Sequence, residues 1–436
     1  MKKVLLSSVL FFLVWSQPVI PAPVYSTVVT PAAGQACSSF CLDNNGYAVF
    51  GTNLDHYDVY EGLVFVNKRN VVKTGWESST TGKHAAWVSK YGSVTFNLVG
   101  YQLVWAGMNE KGLVISTMNL GYATQNPLPD ERPPLESGFW VQYQLDTCST
   151  VEEVIASDSL VRMSNTVDHY LVCDRKGDCA AIEFIGGEMV CHTGETMPVK
   201  VLTNHAYRES LRAWQESELY PVTHPSLRRF IMAANRVQHF DPGNSESAVD
   251  YAFDTLEQVS GEKVSRSTTF WSIVFDTENF IAYFRTKMSP HIRYIDVGMC
   301  DFSCTNPVLM MDINENLSGN VTTDFKEYSR ITNLEHITRF CEKWGIDTSP
   351  GGLSSFCRHF ENFPCKKDEE YSEKNDPDGF NASPIPTDTE PDDTYMIDLK
   401  LICLLIILGG CAAYFVYKSR GGHQGSKEEN HRKGST

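Results

Sequence analysis

The chain has no surplus of basic residues. Its 436 residues hold 37 Lys and Arg against 53 Asp and Glu, a formal net charge of −16. A nucleic-acid partner requires a basic face, so that class is excluded. No internal repeat is visible, and neither a metal nor another cofactor is expected. Long apolar runs are equally scarce. One opens the chain as "MKKVLLSSVLFFLVW", two lysines and then an apolar stretch, the pattern of a secretory leader. The other, 401–417, is 17 residues without a charge, the lower limit for a membrane helix.

Charges flank that second run unevenly. Asp392, Asp393 and Asp398 precede it; Lys418, Arg420, Lys427, Arg432 and Lys433 follow it. The positive-inside bias predicts a single-pass type I protein, with the bulk of the chain outside or in a lumen and the tail in the cytoplasm. A buried core helix is the plainer alternative, but the polar tail has nothing left to pack on it. A GPI signal would end in the apolar run itself.

What is present supports a folded enzyme-sized body. Apolar residues make up 42% of the chain, enough for a real core. The expected organisation is a leader over 1–36, a compact domain over 37–325, a small cysteine-containing helical appendage over 326–365, an acidic stalk over 366–395, a membrane helix over 396–418 and a tail over 419–436. Strand signals include "YAVFGTN", "SVTFNLVGYQLVWAGMNEKGLVISTMNLG", "HYLVCDRKGDCAAIEFIGGEMVCHTG" and "TTFWSIVFDTENFIAYFRT". Helical signals include the capped "STVEEVIASDSL", then "SLRRFIMAANRVQHF", "SAVDYAFDTLEQVS" and "EYSRITNLEHITRFCEKWG". Strands and helices do not alternate strictly. The expected class is therefore α+β, with antiparallel sheets covered by helices. Sequons at Asn316, Asn320 and Asn381 are candidate glycosylation sites.

Of 13 cysteines, Cys403 and Cys411 fall in the apolar run. In an oxidising compartment most of the other eleven should pair, and an odd count leaves a thiol over. Cys173 and Cys179 flank one hairpin turn, which suggests a cross-strand disulfide. A metal site there is the sharper alternative, but it lacks partners.

The stretch "QACSSFCLDNNGYAVFGTNLD" shows where a spare thiol would matter. Asn45-Gly46 is a strong signal for a tight hairpin turn. With that pair as the turn, Cys37 lies opposite Leu54, beside Asp55. With Asn44-Asn45 as the turn, it faces Thr52. Gly34-Gln35-Ala36 is a small-x-small sequence that a signal peptidase could cut, and an autocatalytic cut at the same bond is equally open. Either leaves Cys37 first. Such a residue carries a thiol nucleophile and an α-amine of pKa roughly 8, suited to take the thiol proton. Asp55 would hold and orient that amine. A plain disulfide is the alternative for Cys37, and Cys41 is the rival nucleophile, although nothing suggests cleavage after Phe40.

This stretch resembles the start of the choloylglycine hydrolase family, N-terminal-nucleophile amidases with an αββα sandwich that include bile salt hydrolases and penicillin V acylases. "WAGMNEKGLVISTMNLG", "LTNHAY" and "SLRRFIMAA" are similar to further motifs of the family and follow in its order. The resemblance implies that Cys37 is the nucleophile and that Asp55 contacts its amine. It implies that Asn119 and Asn204 bind the oxyanion and orient substrate, and that Arg229 supports the site. Glu110 and Lys111 read as structural turn residues. Thr52 departs from the family, which usually has arginine there. The expected function is hydrolysis of a linear, non-peptide amide in a small molecule with an apolar acyl group. The rival is a catalytically silent membrane-anchored ectodomain, motivated by Thr52 and the anchor.

Overall fold

The structure is a computed structural model. It describes residues 36–366 apart from 44–45, 47, 57–60, 77–83, 242–246, 265–266, 344–349 and 362. The expected leader to residue 35, the stalk from 367, the membrane helix and the tail all lie outside the described residues, as does Asn381. Among the described residues, no helix is long and apolar enough to cross a membrane.

Two large sheets dominate. The first runs in the order Val201–Leu202, Ser38–Asp43, Ala48–His56, Thr268–Asp276, Ile281–Thr286, Arg293–Asp296, Gly319–Asn320. The second runs Glu188–Thr193, Cys179–Ile185, Asp168–Cys173, Val114–Asn119, Ala106–Asn109, Ser93–Asn97, Leu63–Asn67, Leu309–Asp312, Lys326–Glu327. Within them every pairing is antiparallel except the edge pair Arg293–Asp296 with Gly319–Asn320. The α+β class with antiparallel sheets is thus as the sequence suggested.

The opening hairpin takes the first of the two registers. Ser38 pairs with Asn53 and Asp43 with Ala48, which leaves Cys37 opposite Leu54. Gly46 has φ +91°, a conformation that suits glycine and closes the turn. Gly51 is needed for a different reason. A Cβ there would lie 2.5 Å from the tip of the Phe40 ring, whose residue pairs with Gly51 on the partner strand.

Alternation then sorts the strand Ser38–Asp43. Ser39 Oγ reaches Ser116 Oγ of the second sheet at 3.3 Å, so Ser39, and with it Cys37 and Cys41, faces that sheet. Helices Pro225–Gln238 and Ala248–Gln258 pack on the first sheet, contributing Phe230 and Leu256 to a core that also holds Phe40, Phe50 and Phe275. A second core covers the second sheet. It joins Phe65 and Ile182 to helix Ser137–Thr147 and to Arg330–Lys343 and Pro350–Glu361 through Trp140, Ile337, Phe356 and Phe360.

Helix Ser137–Thr147 gives no amphipathic signal because its residues 139–147 are all buried. Its buried Asp146 pairs with buried Lys73 at 2.9 Å and accepts from Trp87 Nε1. The expected helix near residue 150 does form, over Val151–Ala156, with the Thr150–Glu153 capping box.

The cysteine expectation needs correction. Cys173–Cys179 forms as anticipated, and Cys304–Cys365 ties the chain after the last helix to the main body. Seven described cysteines stay free: Cys37, Cys41, Cys148, Cys191, Cys300, Cys341 and Cys357. Most do not pair because they are placed as small apolar side chains in the cores. Cys341 and Cys357 therefore do not staple the 326–365 segment. Apolar packing and the single Cys304–Cys365 bridge hold it there.

Candidate active site

Cys37 stands at the mouth of the hairpin and is 2% exposed. The Ala36 N–H donates to the Asp55 carbonyl at 3.1 Å, and the Asp55 N–H bonds to the Cys37 sulfur. With Ala36 still joined to it, the thiol is pushed up to about 12, first by burial and then by the Asp55 charge. That thiol is not a thiolate at neutral pH.

Asp55 lies on the partner strand, fully buried. Its Oδ1 accepts from Thr269 Oγ1 at 2.6 Å, and the Gly261 N–H also reaches the carboxylate. Its Oδ2 has no partner among the described residues. Burial raises the carboxyl to about 7, against the pull of Arg229. A buried carboxylate oxygen without a donor is costly, and an ammonium group at residue 37 would relieve it.

Arg229 comes from the first turns of helix Pro225–Gln238. The helix start is fixed by His224, whose ring accepts from the Ser226 N–H, and by Ser226 Oγ, which accepts from the Asn204 N–H at 2.9 Å. The Arg229 guanidinium is spent on the chain itself. Nε donates to Ser38 Oγ at 3.0 Å, and Nη2 donates to the Cys37 carbonyl at 3.3 Å and to Asn204 Oδ1 at 2.6 Å. Asn204 Nδ2 in turn donates to the Asn119 carbonyl at 3.0 Å. One hydrogen of that amide stays available. Cys37, Asp55, Asn119, Asn204 and Arg229, spread over more than 190 positions of sequence, thus meet in one connected network.

Two other groups bear on the site, Thr52 and His205. Thr52 Oγ1 lies 2.8 Å from both Ser39 Oγ and Ser116 Oγ, a buried hydroxyl cluster that bridges the two sheets. It brings no charge to the site. His205, next to Asn204, packs against His224 with ring centroids 4.3 Å apart. Burial, then His224, pushes its pKa down to about 3, so it is neutral. Glu110 binds Arg69 and caps the Gly92 N–H, a structural role as expected.

Sequence reasoning missed Ser38, Thr269 and Asp168. Ser38 and Thr269 carry no local signal, since only the folded register brings them to Arg229 and Asp55. Asp168 stands directly opposite Asn119, a relation that only strand pairing reveals.

The rival, Cys41, sits elsewhere. Its sulfur lies within 4.8 Å of those of Cys173 and Cys179, the one such cluster among the described residues. Two of those three sulfurs are joined to each other, so they offer no thiolate to a metal ion.

The sequence pattern of the linear amide C-N hydrolases, choloylglycine hydrolase family, matches residues 37–216. The penicillin V acylase of Pectobacterium atrosepticum is 24% identical over 322 residues, covering 62% of this chain and 84% of the relative. The structure of penicillin V acylase from Agrobacterium tumefaciens superposes with a TM-score of 0.60 at 24% identity, over 67% of this chain and 98% of that one. A variant of conjugated bile acid hydrolase from Clostridium perfringens gives 0.54 at 18% identity, over 65% and 98%. These structural likenesses show a shared fold.

Proposed function

With residues 37–216 matched as a linear amide C-N hydrolase of the choloylglycine hydrolase family, we propose that Cys37, once freed from Ala36, is the nucleophile of that hydrolysis. The observation that carries this reading is Asp55 Oδ2, buried and without a donor among the described residues, beside a residue that would gain an α-amine on cleavage. The new ammonium would pair with Asp55 and lower its pKa. As a free amine it would take the proton of the Cys37 thiol.

The thiolate then attacks the amide carbon. The C=O oxygen becomes an oxyanion, which the free N–H groups of Asn204 and Asn119 stabilise. The amine of Cys37 returns its proton to the leaving nitrogen, the C–N bond breaks, and an acyl thioester remains. Water, deprotonated by the same amine, releases the acid. Arg229 acts by fixing the Cys37 carbonyl and the Asn204 amide. No cofactor enters these steps.

The substrate in this reading is an N-acyl amide with an apolar acyl group and a neutral leaving amine, such as an acylethanolamine. Thr52 is bound up with Ser39 and Ser116, Arg229 faces the chain, and His205 is neutral, so none of these three described residues offers a free positive charge to a carboxylate or sulfonate. The leader cut after Ala36, the single C-terminal membrane helix, the outward-facing site and glycosylation belong to the same proposal.

Two measurements test it. Mass spectrometry of the purified protein should find Cys37 as the first residue, and any retained residue before it overturns the base role. A matched substrate pair with one acyl chain should show higher kcat/KM for release of ethanolamine than of glycine or taurine. The reverse order overturns the substrate class.

A further inference from the structure

The network through Asn204 and Asn119 continues to a carboxyl group that no sequence signal marked. Asp168 opens the strand Asp168–Cys173, opposite Asn119. Its carboxylate accepts a hydrogen bond from the Asn119 carboxamide, and its Oδ2 accepts one from Ser137 Oγ at 2.8 Å. Ser137 Oγ lies 2.8 Å from the Tyr170 hydroxyl, which lies 2.9 Å from Thr166 Oγ1. Thr166 Oγ1 closes the ring by accepting from the Asp168 N–H at 2.9 Å.

Asn119 is confined from a second side. A Cβ at Gly121 would meet Asn119 Oδ1 at 3.2 Å, so the carboxamide lies close over that glycine. Its backbone carbonyl is taken by Asn204. Asp168 is also near enough to Cys37 for its charge to oppose the thiolate. Electrostatics alone would therefore not favour a carboxylate here. Its value is directional, because a carboxamide free to rotate loses rotamer entropy each time it binds an oxyanion, and a held one does not.

We propose that Asp168 is a positioning residue for amide hydrolysis, holding the Asn119 carboxamide so that its second N–H is turned to the carbonyl oxygen of a substrate at Cys37. This rests on the assignment of Cys37 as nucleophile. Asp168 touches Asn119, not the reacting atoms.

The test compares two reagents on the mature protein. Acylation of Cys37 by p-nitrophenyl butyrate builds an oxyanion; alkylation by iodoacetamide does not. Asp168→Ala should slow acylation about 10- to 100-fold and change alkylation less than about 3-fold. Asp168→Asn keeps an acceptor oxygen and should recover most of the acylation rate. In an Asn119→Ala background, Asp168→Ala should cost nothing more. Acylation unchanged in Asp168→Ala overturns the inference, as do acylation and alkylation that slow together, an Asp168→Asn as slow as Asp168→Ala, and independent losses in the double variant. Should Asp168→Ala fail to fold, Asp168→Asn and Gly121→Ala carry the same comparison. Gly121→Ala crowds the carboxamide from its other side and should slow acylation alone; an unchanged acylation rate there counts against the inference. No labelling of Cys37 by either reagent in the wild-type protein overturns the nucleophile assignment and this inference with it.

Discussion

The hairpin around Cys37 and the helical pair at 330–361 are built on opposite principles. Around Cys37 a set of directional contacts is laid over the apolar hairpin core: Arg229 to three acceptors, Asn204 to Asn119, Thr269 to Asp55. The helical pair is held by rings. Trp76 meets Phe356 and Phe360 with centroids 5.4 and 6.2 Å away, and Phe139 stacks on Phe360 at 5.1 Å. A typical hydrogen bond adds only about 1 kcal/mol net, while a buried aromatic ring contributes about 3 to 5. The polar network fixes geometry and supplies little stability of its own; the ring cluster does the reverse.

Breaking the comparison starts with its largest effect. Cys37→Ala should remove about 10³-fold or more of the amidase activity and leave the thermal midpoint nearly unchanged. A drop of several degrees would show that Cys37 also holds the fold. Next is Phe356→Ala, expected to cost about 3–5 kcal/mol in urea unfolding while the folded fraction keeps normal turnover. Lost turnover in folded protein would mean that the helical pair shapes the site. A chain ending at residue 325 should fail to fold for the same reason, whereas one ending at 366 should be stable and active.

Asp55→Asn should lower kcat about 10- to 100-fold. It should also change the pH response of a Cys37→Ala chain still joined to Ala36. There the folded pKa of Asp55, about 7, lies above its ordinary 3.8 because of burial. Its contribution to stability is full below about pH 4 and lost as pH rises through 7. Asp168, raised to about 6 by burial, adds in the same direction. Denaturant midpoints should thus fall from pH 4 to 7, and Asp55→Asn should flatten the upper part of that fall. A flat profile in the parent chain contradicts the burial argument. The smallest effect is expected of Thr52→Arg, a several-fold shift of substrate preference toward glycine or taurine amides. No shift would mean that residue 52 does not face the substrate.

The sequence disclosed local chemistry well and long-range chemistry unevenly. The Asn45-Gly46 turn carried the hairpin but left two registers open, of which the structure takes the one with Cys37 opposite Leu54. Likewise Thr150 and Glu153 marked a helix start because a capping box lies within four residues. Helix Ser137–Thr147 was hidden, since a helix buried on all sides has no stripe. Asn119, Asn204 and Arg229 entered only through resemblance. Their meeting depends on two sheets and a helix N-terminus, which no window of sequence contains. Asp168 was hidden for the same reason. The free cysteines misled because counting thiols says nothing of whether two of them face each other.

The bond between Ala36 and Cys37 bears on the order of events in the life of the chain. Ala36 is 7% exposed and Cys37 2%, and the Ala36 N–H is already part of the ladder with Asp55. A peptidase needs several residues of loose, extended chain on both sides of the bond it cuts. Once the hairpin has closed, the Cys37 side of the bond is buried strand and no longer offers that length. On the proposed reading, in which this bond is cut, an outside enzyme would have to arrive before the two sheets close over Cys37, during or soon after synthesis. A cut made later has to come from within, by groups that the closed hairpin itself brings together. A pulse-labelled sample, followed from synthesis onward, would show which clock the protein keeps.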